Sequence, residues 1–170
     1  MIKKFIMACM IVCLGASLSH CTRLDDGYVG ISKGRFSGEI DQQILTTGWK
    51  QTITQEITQV STRNIIINVA ERPVIKEGIP MDKFQIKVNY GIVPQHAPFI
   101  YKSESNQHLV NPENGDIYLL GGYVETIASA SIKDVVTNYT AMEVNLHREK
   151  IEKEIKDQMA LRLTQKGKAK

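Results

Sequence analysis

From Lys83 to Val93 apolar residues recur at every second position, with Phe84, Ile86, Val88, Tyr90 and Ile92 separated by Gln85, Lys87 and Asn89. A strand repeats every two residues, so the stretch predicts a β-strand with one buried and one wet face. Such a strand requires a sheet covered on one side. Ile79-Pro80-Met81-Asp82 reads as a turn before it, and Asn64 to Val69 as the strand before that turn. Residues 64 to 93 therefore form a hairpin or meander, which Pro94 ends.

The preceding region carries the same signal more weakly. Tyr28-Val29-Gly30-Ile31 opens a stretch rich in β-branched residues, and Ile40, Ile44 and Leu45 precede Thr46-Thr47-Gly48-Trp49. Gly48 is placed to supply a positive-φ turn. Thr52 to Val60 alternates in part and is rich in Thr and Ile, as a half-buried strand is.

After Ala97 the period changes to that of a helix. Phe99, Ile100 and Tyr101 suit a short helix docked on the sheet. Asn111 to Asp116 is turn chemistry, with Asn114-Gly115 at a tight reversal. Its glycine is misplaced for a calcium-binding loop. Val124, Ile127, Ala128, Ser131, Ile132 and Val135 recur at three- and four-residue steps and define one amphipathic face. Its small residues, Ala128 to Ser131, predict a close neighbour. Thr140-Ala141-Met142-Glu143 has the form of a capping box and begins a last helix. On that helix Val144, Ile151, Ile155 and Met159 make a narrow apolar stripe among many charges. Such a stripe serves a coiled coil or helix pairing, or else rests on the domain itself. The fold class expected is α+β: a mostly antiparallel sheet, then packed helices, then a charged C-terminal helix.

The N-terminus sets the compartment. Lys3 and Lys4 precede an apolar run from Phe5 to Leu14, then small residues, then Leu18-Ser19-His20-Cys21. This is the layout of a secretory signal, and the run is short for a membrane span. Its end resembles a bacterial lipobox, which makes Cys21 the candidate lipidation site; the alternative is an uncleaved anchor in the inner membrane. The segments expected are a signal peptide over 1–21, a tether over 22–27, the α+β domain over 28–140 and a charged helix with basic tail over 141–170. Cys21 is also the last cysteine, so the body beyond it has neither a disulfide nor a thiol nucleophile. Two of the 21 basic residues precede Cys21, which leaves 19 against 18 acidic ones. That balance gives no electrostatic case for nucleic acid.

Catalytic motifs are absent: there is no Gly-x-Ser-x-Gly elbow, P-loop or dinucleotide fingerprint. His96, His108 and His147 are scattered without metal-ligand spacing. No enzyme, cofactor or metal is expected. Trp49, Tyr28 and Phe36 are candidates for an apolar edge near a membrane, where aromatic rings favour the interface. For Trp49, which follows a turn glycine, core packing is the expectation.

The order of these pieces resembles the stomatin/prohibitin/flotillin (SPFH, Band 7) family over about residues 28 to 165. The likeness is carried by Tyr28-Val29-Gly30-Ile31 with Ile44 to Trp49, by Phe84 to Ile92, and above all by the segment from Ile132 through Tyr139-Thr140-Ala141-Met142-Glu143-Val144 to Arg148 and Ile151. Thr47 stands where proline is common in the family, and Ser129 where arginine is. The chain stops at Lys170, where relatives add a strand and a long coiled coil, so it reads as a short variant or a fragment. The resemblance implies a membrane-anchored scaffold that self-associates into a homo-oligomer and organises membrane proteins, in several members a membrane protease. Membrane lipid is the other implied partner. Relatives assemble through the last helix, so Val144, Ile151, Ile155 and Met159 are the candidate self-association residues. The competing reading is a small accessory or ligand-binding lipoprotein of the cell envelope, facing periplasm or exterior like the scaffold.

Overall fold

The computed structural model describes residues 21–168. The apolar run and the residues through His20 lie outside the described residues. Five strands come first: β1 (Cys21–Leu24), β2 (Tyr28–Gly34), β3 (Ile40–Leu45), β4 (Gly48–Gln51) and β5 (Gln55–Ser61). A hairpin follows, β6 (Ile65–Glu71) and β7 (Phe84–Tyr90), and then a short helix, α1 (Ala97–Ser103). Two-residue strands β8 (Leu109–Val110) and β9 (Ile117–Tyr118) precede three helices. These are α2 (Gly121–Val136), α3 (Ala141–Leu146) and α4 (Arg148–Lys168). The class is α+β, as expected.

The chain divides into two compact units. One contains the residues through Arg63 together with Gly91–Ser105 and Val110–Leu119; the other contains Asn64–Tyr90, Asn106–Leu109 and Leu120 onward.

In the first unit β3, β2, β5, β9 and β8 lie side by side in that order. β2 is antiparallel to both β3 and β5, and β5 meets β9 in parallel. The odd-numbered residues of β2, Val29 and Ile31, point into a core with Val60, Ala97 and Leu119. Ile40, Ile44, Ile100 and Tyr101 pack around it, so α1 docks on the sheet as its sequence predicts, with Phe99 turned outward. Ile92 joins this core as well. β7 itself ends at Tyr90, short of Val93, to which the alternating pattern runs.

The other side of the sheet is covered by a two-stranded ribbon of β1 and β4, paired from Cys21 opposite Gln51 to Leu24 opposite Gly48. The segment expected as a tether is thus partly a strand. Leu24, 1% exposed, is the reason: it packs over Gly30, where a Cβ would stand 2.7 Å from its Cδ1. Gly48 takes φ 111°, so the turn into β4 does use the positive φ anticipated there.

The second unit is built on the β6–β7 hairpin and the helices. Ile65, Ile67 and Val69 are buried while Ile66, Asn68 and Ala70 face outward. β7 repeats the alternation, with Phe84, Ile86, Val88 and Tyr90 half-buried. All six residues of the predicted α2 face are buried. Gly121 and Gly122 form the first turn of α2. The capping box is present, Thr140 Oγ1 accepting the Glu143 N–H while the Glu143 carboxylate accepts the Thr140 N–H at 2.9 Å. The helix it starts is short, however. The chain leaves helical geometry at His147 (φ −116°, ψ 36°) and resumes as α4, so the single terminal helix is two.

Two variants probe this packing. Ile132, fully buried in α2, costs about 2–5 kcal/mol when cut to alanine, as read from urea denaturation. Ser131 is also fully buried, and its hydroxyl has no hydrogen-bond partner among the described residues. Ser131→Ala removes that unsatisfied group and improves helix propensity, so its denaturation midpoint should equal or exceed the wild type's.

Candidate functional site

The first candidate lies where the described chain begins. Along β1 the side chains alternate, Leu24 facing the sheet and Cys21 and Arg23 facing away. β4 does the same, with Trp49 and Gln51 facing away. Arg23 lies directly across from Trp49, and Cys21 across from Gln51. Cys21 and Trp49 are therefore diagonal neighbours on one outward face, a spacing within reach of an aromatic side chain. The Cys21 thiol is exposed, and Trp49 is 71% exposed. Core packing of Trp49 is thus overturned: the ribbon spends its one inward face on Leu24, and register forces Trp49 outward.

The three aromatic candidates separate on this evidence of exposure. Phe36, in the turn after β2, is 88% exposed. Tyr28 is built in instead. Its hydroxyl donates to Asp116 Oδ2 at 2.9 Å, and the Arg63 guanidinium lies 5.1 Å from its ring centre. The hydrogen bond to that carboxylate raises the phenol pKa, aided by burial. This bond ties β2 to the Asn111–Asp116 turn, which closes as a turn should, with Gly115 at φ 74° and the Asn111 N–H bonded to the Asp116 carbonyl.

The second candidate is the terminal stripe. Val144, Ile151 and Ile155 are 8%, 2% and 3% exposed, and Met159 is half-buried. Within one chain α4 packs on α2, and the first three of these residues are covered there, while Met159 keeps part of its surface open. Further along the stripe, Leu163 is 41% exposed.

Polar groups fasten the same unit. Ser129 donates its hydroxyl to Glu71, and Lys133 Nζ lies 3.1 Å from the same carboxylate. These bonds hold the Glu71 carboxyl below its ordinary pKa, Ser129 first and Lys133 second. Tyr139 donates to Glu154 at 2.8 Å, and Arg162 pairs with Asp134. Beside that pair, an open cleft of about 350 Å³ is lined by Asp134, Val135, Asn138, Glu154, Asp157 and Gln158. His108 accepts the Leu120 N–H through Nδ1 at 3.3 Å. Among the described residues no cluster of His, Cys, Asp and Glu is placed to hold a metal ion, and no described helix is long and apolar enough to cross a membrane.

The Glu71 contacts make a pH prediction. A carboxyl whose folded pKa is depressed stabilises fully above its unfolded pKa and loses that contribution as pH falls through the folded value. Ser129→Ala removes the largest cause of the depression. The variant should be less stable than wild type at neutral pH, and the gap should narrow in acid below the depressed Glu71 value, where that carboxyl is protonated in both. Urea midpoints at the two pH values measure this.

No curated protein matches the chain closely. A family model does, described as the SPFH domain / Band 7 family, and it spans residues 22–167. The match takes in the described residues of both units except Cys21 at the start of the ribbon and Lys168 at the end of α4. SPFH-domain proteins are characteristically membrane-associated and scaffold-like rather than catalytic. The chain belongs to the SPFH domain / Band 7 family.

Proposed function

We propose that this protein is a membrane-anchored scaffold of the cell envelope, held at Cys21, that self-associates and organises or modulates membrane proteins. The family match over residues 22–167 carries the reading. The exposed thiol of Cys21, seven residues after the apolar run, supports the anchor. Lipid on Cys21 leaves the body facing the periplasm or exterior. Several acyl chains give durable attachment, at about 0.8 kcal/mol per buried CH₂, where one chain holds only marginally.

Self-association then uses the part of α4 that its own domain leaves open. The stripe is sealed at Ile151 and Ile155, half-open at Met159 and open at Leu163. A second copy that covers the distal end removes that apolar area from water, about 25 cal/mol per Å². Charges on the flanks set register more than strength. A membrane protease is the client that the family resemblance suggests.

Two experiments test the reading. Cys21→Ser should lose lipid labelling and change the mass of the mature protein, and it should either leave the membrane fraction or accumulate as precursor; an unchanged variant refutes lipidation. Met159→Asp with Leu163→Asp should reduce crosslinked species in native membranes at unchanged thermal stability. Ile151→Asp should instead lower Tm sharply, because it places a charge in a side chain's buried site. Wild-type protein that yields only monomer on crosslinking sinks the scaffold.

A further inference from the structure

The ribbon face and the turns beside it form an apolar tip. Gln51, opposite Cys21, leads directly into the Thr52–Thr54 loop, where Ile53 is 43% exposed. The Arg35 N–H donates to the Thr54 carbonyl at 3.0 Å, which draws the turn carrying Phe36 against that loop. Phe36, Trp49 and Ile53 thus lie exposed around the end of the unit where β1 begins. Leaving large apolar side chains in water is unfavourable, and a group of them marks a contact surface.

Chain path identifies what they touch. The twenty residues before Cys21 include the apolar run Phe5 to Leu14, so the chain reaches this tip directly from a segment that partitions to the bilayer. Whether that segment is cleaved and replaced by lipid or retained, the connection to Cys21 is short. The chemistry of the tip fits the headgroup boundary: an indole and a phenyl ring, which favour the interface, beside the exposed guanidinium groups of Arg23 and Arg35. Arg23 keeps an exposed partner, Asp25, at 3.3 Å. Screened surface pairs of this kind are weak and exchange readily for a lipid phosphate.

We propose that the face formed by Trp49, Phe36 and Ile53 around Cys21 rests on the lipid bilayer, so that this unit lies on the membrane rather than hanging from it. The proposal rests on the membrane attachment described above and adds a second, protein-borne contact to it. Anchor and face act together: a tethered face meets the membrane at high effective concentration, so even a weak contact holds.

Trp49 is the chain's single tryptophan, so its fluorescence reports this face without any substitution. The full chain is reconstituted into phosphatidylcholine–phosphatidylglycerol vesicles, with ordinary or brominated acyl chains, and recovered by flotation. The expected result is a blue-shifted emission that brominated lipid lowers by about half, since an interfacial indole lies within reach of the acyl chains. Phe36→Ser with Ile53→Ser should still float and should show less quenching. Protein that floats with Trp49 unquenched and open to aqueous acrylamide overturns the face and leaves the anchor standing. Protein that floats with Trp49 unquenched yet shielded from acrylamide means that a second copy covers the face, which also overturns the lipid assignment. Protein that fails to float overturns attachment and the face together.

Discussion

Everything in the second unit depends on the burial of α2. Seven apolar or small side chains of this helix, from Val124 to Val136, are at most 6% exposed. A stripe that wide serves more than one neighbour, and here it carries β6 on one side and α4 on another. Each fully buried aliphatic side chain contributes about 1.5–3 kcal/mol, which outweighs any single polar contact in the unit. Polar groups then fix what burial leaves free. The Glu71 carboxylate, held by Ser129 and Lys133, pins the end of β6 to α2, and Asp134 with Arg162 pins α4 to the same helix. A short hydroxyl donor and the lysine one turn away together engage Glu71 here.

Periodicity made most of this legible from sequence. The alternation of Phe84 to Tyr90 and the three-and-four spacing from Val124 to Val135 each state both an element and its buried face. The capping box at Thr140 and the positive φ at Gly48 follow from side-chain chemistry over a few residues. What sequence left hidden is tertiary. No glycine or proline lies between Thr140 and Gln165, so the break at His147 has no local signature. Cys21 to Leu24 reads as polar, and only the niche over Gly30 makes a strand of it. For Trp49, exposure depends on which face of a four-residue ribbon turns inward, and Leu24 decides that from the partner strand. The stripe of α4 was visible, but its partner was not: periodicity shows that a face is buried and not by what.

The same distinction separates the two functional regions. Around Cys21 the structure leaves apolar side chains uncovered in the unit that begins the described chain. Along α4 it covers the apolar residues near the helix start and leaves the distal ones open. The two apolar regions fall in different units.

The path of the chain between the units also bears on how the protein is made. The first unit takes β1 to β5 from residues 21–61, but Ala97 and Leu119, both fully buried, complete its core. During synthesis Val29, Ile31 and Val60 emerge long before the residues that cover them. The hairpin of the second unit emerges in between and pairs β6 with β7 across a short connection. Contacts that are distant in sequence form slowly, whereas a hairpin closes quickly. The second unit's hairpin is therefore ready first, and the earlier strands wait on about sixty further residues. That delay leaves the apolar faces of β2 and β5 uncovered until Leu119 has emerged.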